Sequence, residues 1–181
     1  MQARLETGSA DNRLGRPPER SRYAPARSFC IRIKRHLRAD SARVYEALLD
    51  PRAWQTWIAP DGAVCRLLRF DPCQGGHLRY SLLYPPTAGP LSADRRIETY
   101  RGCFSALVPW RKVVLLLERE AAAPDSFGEM GLALLLEQTG HGTDLLLVHD
   151  RIPPGLAGQD HELAWRSALA KLAAWVETDD P

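Results

Sequence analysis

The stretch from Asp160 to Val176, DHELAWRSALAKLAAWV, repeats its apolar residues at a helical period over four turns, and the rest of the chain must be arranged to cover it. At 100° per residue, Trp165, Leu169, Leu172 and Val176 fall on one line with Ala168 and Ala173 beside it, while Arg166, Ser167, Lys171 and Glu177 lie elsewhere. Burying each large side chain of that line is worth about 1.5–3 kcal/mol before entropy is charged. The helix therefore needs an extended apolar partner. Upstream, from Phe29 to Arg151, the chain reads mostly as strand, so the partner is a large sheet that must curl around the helix. A sheet curled in this way leaves room for a pocket between the two.

A chain of 181 residues with 45% apolar composition supports one large core. No run of about 18 apolar residues occurs, and the first 28 residues lack the apolar middle of a signal peptide, so no membrane span and a cytoplasmic location are expected. Charge is uneven. Residues 1–28 hold six Arg against Glu6, Asp11 and Glu19, and the remainder is close to neutral. The folded body is therefore not expected to bind nucleic acid, and only the tail is basic. That tail has three Pro and no period of 2 or 3.6, which predicts a disordered segment at 1–28 and a single domain at 29–178. Cys30, Cys65, Cys73 and Cys103 form no CxxC pair, and Cys30, Cys65 and Cys103 fall in apolar strands as expected small core residues.

In order, FCIRIKRHL alternates as a first strand over Phe29–Leu37, with Arg35 out of phase near its end. Asp40 or Ser41 caps a helix from Ala42 to Leu49, and Pro51 starts a second short helix, PRAWQTWI, stopped by Pro60-Asp61-Gly62. Two strands follow, Ala63–Phe70 and His77–Tyr84, joined by a turn whose Gly75-Gly76 supply positive φ. No helix follows those glycines, which sets a phosphate-binding loop aside. After the loop PPTAGPLSAD come four strands that read as an antiparallel meander, Arg95–Leu107, Lys112–Glu120, Glu129–Gln138 and Thr143–Arg151. Strand, two helices, six strands and a long helix define an α+β domain with no βαβ repeat.

The succession ADSARVYEALLDPRAWQTWIAP, RLLRFDPCQGGHLRY, ETYRGCFSALVP, GEMGLALLLEQTGHGTDL and IPPGLAGQDHELAWRSALAKL resembles the C-terminal domain of the activator of heat-shock protein 90 ATPase, within the START-like, birch-pollen-allergen-like (SRPBCC) superfamily. The resemblance runs from about Ile31 to Val176. It implies a helix-grip fold: a curved antiparallel sheet wrapped around the C-terminal helix, with two short helices closing one end. The superfamily spans lipid binders, polyketide cyclases and co-chaperone modules, so fold alone does not choose a function. The co-chaperone also carries a separate N-terminal domain, which residues 1–28 are too few to form.

Strand alternation turns Tyr80, Tyr84, Met130, Leu147 and His149 toward the helix, and the polar-tipped members need partners if buried. His161 projects 40° from Trp165, so His149 and His161 are expected at one cavity mouth, where a His pair could serve as acid and base near pH 7. Glu98 and Tyr100 share a phase of the fourth strand, and a bulge could turn that phase either way. If it faces inward, Glu98 is a carboxylate in an apolar cavity. Trp54, Trp57 and Trp165 are either core anchors or an aromatic wall for a flat ligand. No HExxH, Walker, dinucleotide or nucleophile-elbow motif is present, so neither a metal nor a cofactor is expected. The resulting reading is a binder of a small apolar or amphipathic molecule, contacted by Trp57, Tyr80, Tyr84, Glu98, Tyr100, Met130, Leu147, His149, His161 and Trp165. The alternatives are a module that modulates a chaperone ATPase and a cofactor-free cyclase or hydratase using Glu98 or His149. The sequence carries no signal for oligomeric state.

Overall fold

The computed structural model describes residues 28–85, 96–120, 128–154 and 159–178. The expected tail (all but Ser28), most of the PPTAGPLSAD loop, the loop around Pro124 and part of the link into the last helix lie outside the described residues. The element order is β1 (Phe29–Leu37), α1 (Ser41–Leu49), α2 (Pro51–Trp57), β2 (Val64–Phe70), β3 (His77–Leu83), β4 (Ile97–Val108), β5 (Lys112–Glu120), β6 (Met130–Thr139), β7 (Gly142–Ile152) and α3 (Gln159–Glu177). All seven strands form one antiparallel sheet in the order β1-β7-β6-β5-β4-β3-β2. The meander thus runs unbroken from β2 to β7, and β1 crosses over to pair with β7 at the far edge. Irregular register in β1, β2 and β4 bends the strands, as bulges do. This is the helix-grip α+β fold that the resemblance implies.

On α3, Trp165, Ala168, Leu169, Leu172, Ala173 and Val176 are all buried, the face that the helical period selects. Polar contacts fix the helix over the sheet from its flanks. The Lys171 ammonium donates to the Ala59 carbonyl at 2.7 Å and pairs with Asp61 at 3.1 Å, and Glu177 accepts from the Arg38 backbone and guanidinium. The two short helices begin on carboxylate caps: Asp40 accepts from the Arg43 amide, and Asp50 accepts from the amides of Arg52 and Ala53 ahead of Pro51 at the first turn. Because α2 starts at that point, Trp54 and Trp57 both point inward and are fully buried, their rings 5.0 Å apart and edge-on. Trp54 also packs edge-on against Tyr80 on β3.

Two expectations for β1 need correction. Cys30 is exposed, not a core residue, because it lies on the outward phase of β1 with Arg32, Lys34 and His36. The alternation also does not break at Arg35. That residue takes the inward phase between Ile33 and Leu37, and its Nε–H is buried with no acceptor among the described residues. Cys65 is buried as expected, its thiol pushed up to about 12 by burial, whereas Cys103 is only half-buried. Ser81, on the outer phase of β3, is buried because its hydroxyl meets that of Thr99 across the strand pair at 2.9 Å.

Candidate functional site

Two polar clusters lie in the space between the sheet and α3. The first is centred on Glu98. On β4 the phase of Glu98, Tyr100 and Phe104 faces inward, which leaves Glu98 only 4% exposed. Its surroundings are not apolar. Oε1 accepts from Arg96 at 2.6 and 3.0 Å and from Arg119 at 3.0 Å, and Oε2 accepts from the hydroxyls of Tyr100 at 3.1 Å and Tyr84 at 3.3 Å. The expected carboxylate in an apolar cavity is thus a carboxylate held by two guanidiniums and two phenols, its lone pairs already engaged. Around it Tyr80 stacks on Tyr100 at 5.2 Å, and Arg96 lies 4.7 Å over the Tyr84 ring. Burial pushes all three tyrosines up, Tyr84 to about 12, so each remains a neutral phenol at physiological pH.

The second cluster joins β7 to the first turns of α3. His149 follows Leu145 and Leu147 along the inward phase of β7 and is 2% exposed. The Trp165 indole N–H, one turn into α3 from His161, donates to His149 Nδ1 at 3.0 Å and more weakly to His161 Nε2 at 3.3 Å, and the two imidazole nitrogens lie 3.1 Å apart. The other nitrogen, His149 Nε2, is buried with no partner among the described residues. Desolvation, reinforced by the neighbouring His161, lowers the His149 pKa to about 3, and His161 is lowered by burial as well. The pair is therefore in contact, as its placement in the sequence suggests, but both rings are biased toward the neutral form and not poised as acid and base at pH 7. The two clusters feel each other: the charge of Glu98 acts on His161, partly opposing the effect of burial.

The other expected contacts are placed as follows. Met130 and Leu147 are fully buried aliphatic positions of β6 and β7. Trp57 belongs with Trp54 at the closed end, while the aromatic neighbours of Trp165 are the two histidines, so the three indoles do not form one wall. Sequence reasoning missed Arg96 and Arg119. Arg119 was within reach, because continuing the inward phase Val113, Leu115, Leu117 by one step arrives at it, opposite Tyr100 in the register. Also missed were the buried Nε1–H groups of Trp54 and Trp57, which have no acceptor among the described residues.

A pH dependence follows from His149. In the unfolded chain its imidazole takes a proton near 6.5, and in the folded protein only near 3, so the unfolded state binds the extra proton between those values. Stability present above pH 6.5 should therefore be lost as the pH falls from about 6.5 toward 3, at up to about 1.4 kcal/mol per pH unit for a fully shifted group. The difference between wild type and His149→Gln in urea titrations from pH 7.5 to 4.5 isolates this contribution. Parallel pH profiles would refute it.

Among the described residues, no group of three or more His, Cys, Asp or Glu could hold a metal ion, and no helix is long and apolar enough to cross a membrane. A groove of about 680 Å³ lies outside the core between α1, α2 and the end of α3, lined by Arg43, Glu46, Asp50, Thr56, Lys171 and Trp175 among others.

The model of the family described as "Activator of Hsp90 ATPase homolog 1-like protein" matches residues 38–177. Among solved structures, a crystal structure of a Chromobacterium violaceum protein is 31% identical, with 83% of this chain and 98% of that one covered and a TM-score of 0.75. A Rhodobacter sphaeroides protein at 18% identity (84% and 95% covered, TM-score 0.68) and an Arthrobacter aurescens protein solved by NMR at 17% identity (83% and 88% covered, TM-score 0.68) share the fold. No curated protein matches the sequence.

Proposed function

Because the chain belongs to the Activator of Hsp90 ATPase homolog 1-like family, with its START/SRPBCC-type fold, we propose that it is a cytoplasmic binding protein that holds a small apolar or amphipathic molecule between the curved sheet and α3. In this reading residues 29–178 are the binding domain and residues 1–28 an appended basic tail. One observation carries the reading: the buried polar atoms without partners among the described residues include His149 Nε2, Trp54 Nε1 and Trp57 Nε1, all on the core side of the fold. Native proteins leave few buried donors unmet, and binding sites are where such groups belong. The aliphatic surface of Met130 and Leu147 and the phenols around Glu98 supply the mixed lining that an amphipathic molecule requires.

The test is native mass spectrometry of the purified protein before and after solvent extraction, with a thermal-shift screen of apolar compounds. A retained molecule, or stabilisation by members of the screen, supports the reading. No retained mass together with a flat screen would sink it.

A second reading has its own support. Trp175 is 40% exposed and lines the groove between the helices, and the family takes its description from an activator of the Hsp90 ATPase. In that reading the groove contacts a chaperone. The protein would raise the chaperone's ATPase rate, Trp175→Ala would abolish the effect and His149→Gln would not. Absence of any rate change with the intact protein rules it out. A cyclase or hydratase receives less support, since the lone pairs of Glu98 are engaged and His149 is a weak base.

A further inference from the structure

Four buried polar atoms lack partners among the described residues, and one of them sits inside a hydrogen-bond network that fixes its role. Indole N–H is a donor only, so an indole 3.0 Å from His149 Nδ1 requires a lone pair on that nitrogen. The same indole N–H lies 3.3 Å from His161 Nε2, so the two imidazole nitrogens, 3.1 Å apart, share it as acceptors. A neutral imidazole with a bare Nδ1 carries its proton on Nε2. The unpartnered nitrogen of His149 is therefore an N–H donor without an acceptor. It is also the ring nitrogen farther from the backbone, on a side chain that shares the inward phase of Leu145 and Leu147, so it extends off the sheet toward the space under α3.

Building on the ligand-binding reading, we infer that the bound molecule is a neutral apolar compound bearing a carbonyl-type oxygen (a ketone, quinone, ester or amide) that accepts from His149 Nε2–H. The neighbouring groups favour this class. The Glu98 cluster has its acceptor sites filled by two arginines and two tyrosines, so a ligand offering only donors finds little to meet. The Trp54 and Trp57 indoles are further donors without acceptors. Burial keeps the imidazole uncharged, so it offers a dipole to a neutral oxygen in place of a cation to an anion. A neutral imidazole held in this way is known chemistry for polarising a carbonyl. A site built around a buried donor also discriminates against the isostere that leaves the donor unpaired.

The probes are 2-acetylnaphthalene and 2-ethylnaphthalene, which share a ring system and differ in the oxygen, with affinities measured on the full chain by fluorescence. The ratio of ketone to hydrocarbon affinity should fall about tenfold from wild type to His149→Phe and recover in His149→Gln, whose amide nitrogen reaches the place of Nε2. Bound 2-acetylnaphthalene labelled with carbon-13 at the carbonyl should show a lower C=O stretching frequency on wild type than on the Phe variant. In the ligand-free wild type, long-range proton–nitrogen NMR should find the His149 proton on Nε2. A proton found on Nδ1, or an affinity ratio unmoved by His149→Phe, overturns the inference while leaving the binding reading standing. Failure of both probes to bind wild type counts against the binding reading, and the inference falls with it.

Discussion

Glu98→Ala should lower the unfolding free energy by about 3 kcal/mol, an unusually large effect for a polar residue on a strand. The carboxylate is shared by Arg96, Arg119, Tyr84 and Tyr100, so its removal affects four side chains at once. Arg96 is 68% exposed and can return to water at little cost. Arg119, at 23%, and the largely buried Tyr100 hydroxyl cannot do so freely, and a buried donor stripped of its acceptor costs about 1–3 kcal/mol. Glu98→Gln should be milder, because an amide oxygen still accepts from the phenols. Urea denaturation of the two variants beside wild type decides the matter. A loss below about 1 kcal/mol for the Ala variant would mean that the cluster is solvated and that Glu98 does not organise it.

Trp57→Ala should cost about 3–5 kcal/mol, the range for deleting a buried aromatic from a core that cannot collapse around the gap. The indole is fully buried, edge-on to Trp54, on a helix of only seven residues pinned at its start by Asp50. Such a short helix has little stability of its own and is held by the side chains it buries. The expected signature is a lower denaturation midpoint with an unchanged slope, and Trp57→Phe should recover most of the loss. If Trp57→Ala instead leaves stability intact and alters only the binding of apolar compounds, the indole is a ligand wall and not an anchor.

Periodicity made much of this fold legible. The inward face of α3, the two capped helices and the six later strands each announce themselves through local spacing, and the meander follows from short connections. The neighbour of β1 does not, because pairing with β7 joins segments more than a hundred residues apart and leaves no local mark. Cys30 is exposed because it shares the outward phase of β1 with Arg32 and Lys34, and an expectation based on the apolar character of the strand alone misjudged it. Glu98 was undecidable because one bulge reverses every side chain beyond it. The contact between His149 and His161 could be anticipated, since both sit where the inward faces of strand and helix approach. The Trp165 indole N–H could not, because a helical wheel counts Trp as apolar and is blind to the hydrogen bond it donates.

The β1–β7 pairing and the bridge from Arg38 to Glu177 also set the order of events during synthesis. Arg38 and Glu177 are separated by 139 residues, and α3 follows all seven strands, so the part of the sheet's inner face that α3 covers stays bare until α3 itself is made. A nascent chain emerging at about 5–20 residues per second therefore carries an uncovered apolar surface for about 1–5 s after β7 is made. The last closure joins the two ends of the domain across a large loop, the kind of long-range contact that makes folding slow. Truncation within α3 should accordingly yield aggregation-prone protein, whatever the molecule that the finished fold encloses.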